Sequence, residues 1–437
     1  MRNEVFMILI LWLIILMLLI ITYQITDFNI TAPSIIVLIS FFLVTSSSVI
    51  YSFFLDFSIS ELTVGIVVTF LSCIILGNVI SSNILNNKTY NAKSRCVVKY
   101  NIGKNLLAIY IILTIIGVYI SYQDVVASAK LLSSNISDQT LLLLYAREAY
   151  LQGIGIRSFG VQYYMQASNC FAYVSMYCLV SNIINYGWEK DDIKFLIPII
   201  FLFIYTFLDG GGRTGFIRSF FYIFMFITIL LRIKYYHNIR TINQKVIIIA
   251  GLAFIMFILF FFLLKYFRGG EFDLFDQIFR YFGASIPALD QFINGNVLVK
   301  RNIDLFGSNT LFGIYKSIAK LGFDIPQLYP PAEFVYIDYL NTNIYTAIMR
   351  YIQDFGYFLT FVIAILYGVV YGWGDFIVLK NKLIGFPIVM YVFLASPLCE
   401  MAIEERFFMN IVSIVTIEQI LVMYFIYNYL IKMDKRC

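Results

Sequence analysis

Arg268-Gly269-Gly270-Glu271-Phe272-Asp273, Arg280-Tyr281-Phe282-Gly283-Ala284-Ser285-Ile286-Pro287, Asn341-Thr342-Asn343-Ile344-Tyr345-Thr346 and Arg350-Tyr351-Ile352-Gln353-Asp354-Phe355-Gly356-Tyr357 punctuate one stretch, Lys265 to Ile363. Apolar runs crowd both sides of it. For roughly eighty residues the chain is polar and aromatic, and loops longer than about fifteen residues are as a rule functional or disordered. So many aromatics with so little charge bias argue against disorder. We read the stretch as a folded cap outside the membrane and as the candidate active region. Inside it Phe275, Ile278, Phe279, Phe282, Ile286 and Leu289 recur at helical spacing, and Pro287 is expected to kink or end that helix.

The rest of the chain sets the solvent. Hydrophobic residues make up 61% of 437 and charged ones 13%, and the mean hydropathy is +0.84, so most of the chain is not water-soluble. The first apolar run, Phe6 to Ile21, lacks a small-residue cleavage site and reads as a retained span. The six cysteines are scattered without a CxxC spacing and read as packing residues and free thiols.

A span needs about twenty apolar residues, and about eleven (ten to twelve) are found, at about 4–22, 32–54, 62–81, 105–122, 162–184, 195–208, 216–231, 246–265, 355–373, 383–399 and 407–430. The expected fold is an all-α polytopic membrane protein. Residues 1–265 carry the first eight spans, 266–345 the cap and 346–437 the last three. Orientation follows from Lys and Arg in short loops. Lys88, Lys93, Arg95, Lys99 and Lys104, then Arg232, Lys234, Arg240 and Lys245, then Lys380 and Lys382, then Lys432, Lys435 and Arg436 all fall on one side. That side is the cytoplasm, which puts the cap and the N-terminus outside; Arg2 argues the other way for the terminus, and a further span near it reconciles the two. Residues at about 123–160 also face outside, and Gln139 to Gln152 read as an amphipathic helix on the membrane surface.

Polar groups at membrane depth point to function. Asp209-Gly210-Gly211-Gly212-Arg213-Thr214-Gly215 is the sharpest local motif. Its glycines let the backbone approach a ligand, Thr214 caps the following helix, and Arg213 sits at that helix's positive end, a natural anion site. GxxxxGK[ST] is absent, so it is no P-loop. The plainer alternative is a tight hairpin with a snorkelling Arg. Arg268 and Arg280 add two external guanidiniums, whose planar forks suit a diphosphate; alternatively they contact lipid headgroups or pair with Asp273 and Asp276. Arg350 and Asp354 share a helix face at i, i+4, as a substrate pair or as an ion pair anchoring a helix end. Tyr345, Tyr351 and Tyr357 fit an interfacial belt or a platform for sugar rings. Asp354, Asp338 and Glu333 are the candidate general bases, and the residues do not choose among them. His237 lies in a basic internal loop, so the outer site has no imidazole.

Taken together, Arg268-Gly269-Gly270, the segment Tyr281 to Asp290, Asn343-Ile344-Tyr345-Thr346 and Gln353-Asp354-Phe355-Gly356-Tyr357 resemble the Wzy-type oligosaccharide repeat-unit polymerases of O-antigen and capsule synthesis. The hydropathy profile is similar along the whole chain; the match at residue level covers mainly 209–215 and 268–357. The resemblance implies a GT-C-like glycosyltransferase of the bacterial inner membrane, working on the periplasmic face. Such an enzyme transfers a growing glycan from undecaprenyl diphosphate onto the next lipid-linked repeat unit. It implies that Arg213, Arg268 and Arg280, with Arg350, Gly212 and Thr214 beside them, hold the diphosphates. It also implies membrane lipid and a chain-length regulator protein as partners, and no nucleic acid. Some members carry two loops with an Arg ten residues before a Gly; no external arginine here has that spacing, so the two-loop shuttle is not carried over. A single base makes inversion the simpler stereochemistry. No external DxD-like cluster stands out, and no metal or other cofactor is expected.

Two rivals remain at this level. An O-antigen ligase shares the spans and the lipid donor but is associated with a loop histidine, which is missing outside here. A lipid-linked oligosaccharide flippase or transporter shows two similar halves around a charged cavity, and no internal repeat is visible. The topology is tested by a cysteine introduced near Asn309: it should react with an impermeant maleimide in spheroplasts, and protection there with labelling at Asn381 would reverse the orientation.

Overall fold

The computed structural model describes residues 3–86, 97–133, 139–151, 153–208, 214–235, 276, 278–297, 302–326, 328, 333–380 and 383–436. The expected eighth span, Arg268, and Gly212 and Arg213 of the glycine turn lie outside these residues, as does Asn381. The chain is an all-α, polytopic membrane protein. Seven helices are long and apolar enough to cross a membrane: Phe6–Ile25, Pro33–Tyr51, Glu61–Ile84, Lys104–Leu132, Phe159–Tyr186, Gly215–Lys234 and Ala347–Leu379. Phe386–Glu400 and Ile414–Leu430 are shorter apolar helices, and Ile193–Leu208 has 16 residues with Pro198 inside. Among the described residues, then, seven spans meet the length requirement.

Two compact units interleave along the sequence. The first comprises Met1–Ala92, Phe272–Leu383 and Leu394–Ile417; the second comprises Lys93–Glu271, Ile384–Phe393 and Glu418–Cys437.

The first unit contains α1 (Asn3–Ile25), α2 (Pro33–Tyr51), α3 (Glu61–Asn86) and the long helix Ala347–Lys380. Lipid offers no hydrophobic drive for helices to associate, so close contact between small residues must supply it. Gly368 and Gly372 stand four apart on the long helix, one turn beyond the fully buried Ala364. A Cβ on Gly368 would lie 2.2 Å from the Ile74 carbonyl oxygen, and one on Gly77 would lie 2.1 Å from that of Ile365. The two backbones touch, and they run parallel: Phe70 stacks on Tyr351 with centroids 6.3 Å apart, while Gly372 meets Asn78 and Ser81 further along. At the far end the buried Asp375 accepts hydrogen bonds from Asn29 Nδ2 (2.7 Å) and Thr31 Oγ1 (3.2 Å), fastening the α1–α2 turn.

At the near end the cap is seated on the helix termini. The helix expected to kink or end at Pro287 is a π turn (Phe279–Gly283), a bend at Ala284 and then the helix Ser285–Ile293. Pro287 is in the first turn of that helix, where no intrahelical N–H is required; the break precedes it. Phe279, Ile286 and Leu289 are fully buried, with Phe279 against Tyr51 and Phe57. Asp290 accepts from the Ser60 N–H, Ser60 Oγ and Thr63 Oγ1, each at 2.7 Å, and so caps α3 from outside. The strands β2 (Val335–Ile337) and β3 (Leu340–Thr342) form a hairpin whose turn begins with Asp338 at φ 56°, the left-handed conformation such two-residue turns demand.

The second unit holds α4 (Lys104–Leu132), α5 (Gln139–Leu151), α6 (Phe159–Tyr186), α7 (Ile193–Leu208) and α8 (Thr214–Lys234). α4 extends well past the expected end at 122, and α5 packs on that extension through Val125, Ala129, Leu143 and Ala146. Leu142 and Leu143 thus find a protein partner, while Leu144 stays exposed. β1 (Val97–Ile102) pairs antiparallel with β4 (Ile431–Arg436), and Asn182 clasps the N–H and C=O of Tyr100.

Asn309 is buried, whereas Ile303 is 84% exposed and is the better cysteine position for labelling. The helix crossing yields its own prediction. Gly368→Leu should destabilise the protein by about 1–3 kcal/mol or more, because backbone has to move. Gly65→Ala, where a Cβ meets nothing within 4 Å, should be silent. Melting of the detergent-solubilised protein followed by size exclusion separates the two.

Candidate active site

The start of the long helix organises the candidate site. Its first turns, from Ala347, are followed by Gly356 at φ 74° and ψ 177°, a non-helical residue that divides the helix in two. Only glycine adopts that conformation without strain. Arg350, Tyr351, Gln353 and Asp354 therefore sit on a short helical segment that the break sets off from the spanning part.

The turn 306–311 is stapled onto this segment. Asp354 Oδ2 accepts the backbone N–H groups of Asn309 (3.1 Å) and Thr310 (2.6 Å). Asn309 Nδ2 donates to Gln353 Oε1 (2.6 Å), and Thr310 Oγ1 donates to the Arg350 carbonyl (3.1 Å). Phe306 packs on Phe355, and Tyr315 donates to the Phe306 carbonyl. Both N–H donors fall on one oxygen. Among the described residues no hydrogen bond falls on Oδ1.

Arg350 is 5% exposed. Its i+4 neighbour Asp354 is turned to the loop, and its guanidinium reaches Glu404 Oε1 at 3.9 Å and the Asn309 carbonyl at 3.4 Å. Arg406 pairs with the other oxygen of Glu404 and, through Nε, with the buried Glu400 at 3.5 Å. Glu405 points the opposite way, into the aromatic interior. Its Oε1 accepts from Tyr351 (3.1 Å), Tyr367 (3.3 Å) and the N–H groups of Phe407 and Phe408 (2.9 Å each), and Oε2 accepts from Met409 N–H (3.0 Å). Burial nevertheless pushes its pKa above the usual carboxylate value, opposed by the N–H groups of Phe408 and Met409 and by Arg350. The helix Phe312–Lys320 closes the site from above: a Cβ on Gly313 would lie 2.5 Å from the carbonyls of Phe408 and Met409.

The remaining candidates are dispersed. Arg280, half-buried in the π turn, donates from Nη1 to Asn341 Oδ1, and its carbonyl accepts from Thr342 Oγ1 at 3.3 Å. Asp338 is exposed in the hairpin turn and accepts the Asp56 N–H at 3.3 Å. Glu333 is half-buried, and its carbonyl accepts the Tyr345 hydroxyl at 3.0 Å. Burial and the Glu333 carboxylate push the Tyr345 phenol up, which keeps it a neutral donor. Thr214 opens α8. Two of the three expected stacking rings offer no face to a sugar: Tyr345 is 3% exposed, and Tyr351 is fully enclosed among Phe70, Tyr367 and Phe408. Tyr357, beside the Gly356 break, is 44% exposed.

Sequence reasoning missed Glu400, Glu404, Glu405 and Arg406 as site members and used them only as loop charges. The signal was there: four ionisable groups in seven residues between two apolar runs are too many for a plain turn. Asn309 and Thr310 carried no such signal. Among protein-family models, curated proteins and solved structures, nothing matches this chain.

Glu405 supplies a pH test with a fixed sign. A carboxyl whose folded pKa is raised contributes stability that is full below its ordinary value of 4.5 and is lost as pH rises through the folded value. Wild type relative to Glu405→Gln should therefore be most stable near the acid end and lose that advantage as pH rises from there. Parallel melting curves for the two proteins across pH 4.5 to 7 would show that the carboxylate is ionised throughout at no penalty.

Proposed function

We propose that the chain is an integral membrane glycosyltransferase of the polyprenyl-diphosphate-dependent kind. In this reading it polymerises undecaprenyl-diphosphate-linked oligosaccharide repeat units of O-antigen or capsule on the periplasmic face of the bacterial inner membrane. The observation that supports it best is the segment Arg350 to Tyr357. There a carboxylate, an exposed aromatic ring and an opened backbone at Gly356 are gathered at the end of a spanning helix, under a folded cap.

The chemistry asks for two things. The diphosphate leaving group needs fixed positive charge where negative charge develops, and the acceptor hydroxyl needs a base. Asp354 is assigned the base, through Oδ1, with Oδ2 holding the turn 309–310 in place. Tyr357 is assigned the sugar-facing ring. Arg280 is assigned to diphosphate along with Arg213 and Arg268, whose assignment rests on the sequence. One base suffices for direct displacement with inversion. Asp338 and Glu333 remain the alternative bases.

Structural and chemical roles of Asp354 are separable. Asp354→Asn keeps an oxygen that accepts the two N–H groups, while Asp354→Ala loses both bonds. With purified lipid-linked repeat units, Asp354→Asn should lose activity by about 10²–10⁴-fold, the usual range for a general base, and melt like wild type. Asp354→Ala should also melt earlier. Full-length polymer from Asp354→Asn would move the base to Asp338 or Glu333.

A further inference from the structure

The carboxylate of Glu404 stands between two guanidiniums, paired closely with Arg406 and 3.9 Å from Arg350. Arg350 comes from the long helix and reaches Oε1; Arg406 comes from the following connection and reaches Oε2. Two guanidiniums on the two oxygens of one anion is how arginines receive a phosphate. The three side chains differ in exposure: Arg350 is 6% exposed, Arg406 22% and Glu404 34%. The cations are set in the protein, and the anion is the most solvent-accessible member.

The setting fixes the cations further. Arg350 is also tied to the Asn309 carbonyl, and Arg406 to Glu400, which is 1% exposed. Glu405, 1% exposed, is engaged by two tyrosine hydroxyls and three backbone N–H groups. Glu400 and Glu405 therefore cannot leave without unsatisfying buried groups, which is expensive. Glu404 can rotate into solvent, where its carboxylate is hydrated. Arg350 and Arg406 would then face an anion site with their geometry already set, which is what tight binding requires.

We propose that Glu404 is an internal stand-in for an anionic ligand, and that its displacement opens a binding site for phosphate oxygens between Arg350 and Arg406. The ligand class is a diphosphate, free or lipid-borne; that the diphosphate is a substrate's rests on the glycosyltransferase reading, whereas the anion site itself does not. Diphosphate carries more charge than the carboxylate it replaces and can satisfy both guanidiniums at once. Arg350 then serves the diphosphate only after exchange, and Glu404 sets the threshold concentration.

Calorimetric titration of the full-length protein in neutral detergent with inorganic diphosphate tests this. Glu404→Gln removes the competing charge and should bind about tenfold more tightly or better than wild type, the scale of one charge-assisted hydrogen bond. Adding Arg406→Lys, which cannot offer the planar fork, should return binding to the wild-type level. Should Glu404→Gln not fold, Glu404→Asp, which retracts the charge by one methylene, should show a smaller gain. A folded Glu404 variant with wild-type affinity overturns the proposal, as does a gain that survives Arg406→Lys. A short-chain prenyl diphosphate run beside inorganic diphosphate identifies the source: tighter binding of the prenyl form points to a lipid-borne ligand, equal binding to a free one, and both support the site. If Glu404→Gln gains affinity while wild type fails to extend lipid-linked repeat units, the polymerase reading fails and the anion site stands.

Discussion

Everything at the candidate site hangs on the contact between α3 and the long helix Ala347–Lys380. In a membrane these helices gain little from burying apolar side chains, because lipid tails are as apolar as leucine. They hold by letting backbones touch, at Gly77 on one side and Gly368 and Gly372 on the other. That register carries Tyr351 onto Phe70, and with it fixes where the preceding Arg350 and the following Asp354 emerge. The Asp290 cap on α3 and the Asp375 clasp on the α1–α2 turn secure the two ends of the same packing.

The site uses its charges unequally. A buried carboxylate or guanidinium is tolerated only when its hydrogen bonds are complete, and Glu405, Glu400 and Arg350 are enclosed in that manner. Arg406, Glu404 and Asp354 are less enclosed and keep access to solvent. The division separates groups that build the site from groups that can exchange partners. It also reassigns the tyrosines: Tyr351 and Tyr367 are donors to Glu405 inside the protein, while Tyr357 faces outward.

The sequence made the membrane class and most helix positions legible, since an apolar run of sufficient length has few other uses. The Phe279, Ile286 and Leu289 spacing also marks residues that are buried. What it did not reveal was partnership. Arg350 and Asp354 at i, i+4 suggest each other, yet each bonds to groups more than forty positions away in the chain. The i, i+4 rule describes an isolated helix surface, and here a docked loop and a charged turn compete for the same side chains. Likewise Pro287 announces a break without saying on which side, and the leucines of 139–151 announce an apolar face without saying that α4 covers it. The apolar run 407–430 reads as one span but begins with a π turn, because the Glu405 carboxylate captures the N–H groups of Phe407, Phe408 and Met409.

The proposed joining of lipid-linked repeat units outside the cytoplasm is tested most directly by a surface-glycan gel from a strain lacking this chain. The ladder of long chains should collapse to a single repeat unit on its lipid A core and return when the wild-type chain is supplied. Complete loss of surface repeat units, with the lipid-linked form accumulating, would contradict it, because export or ligation would then be the step this protein performs.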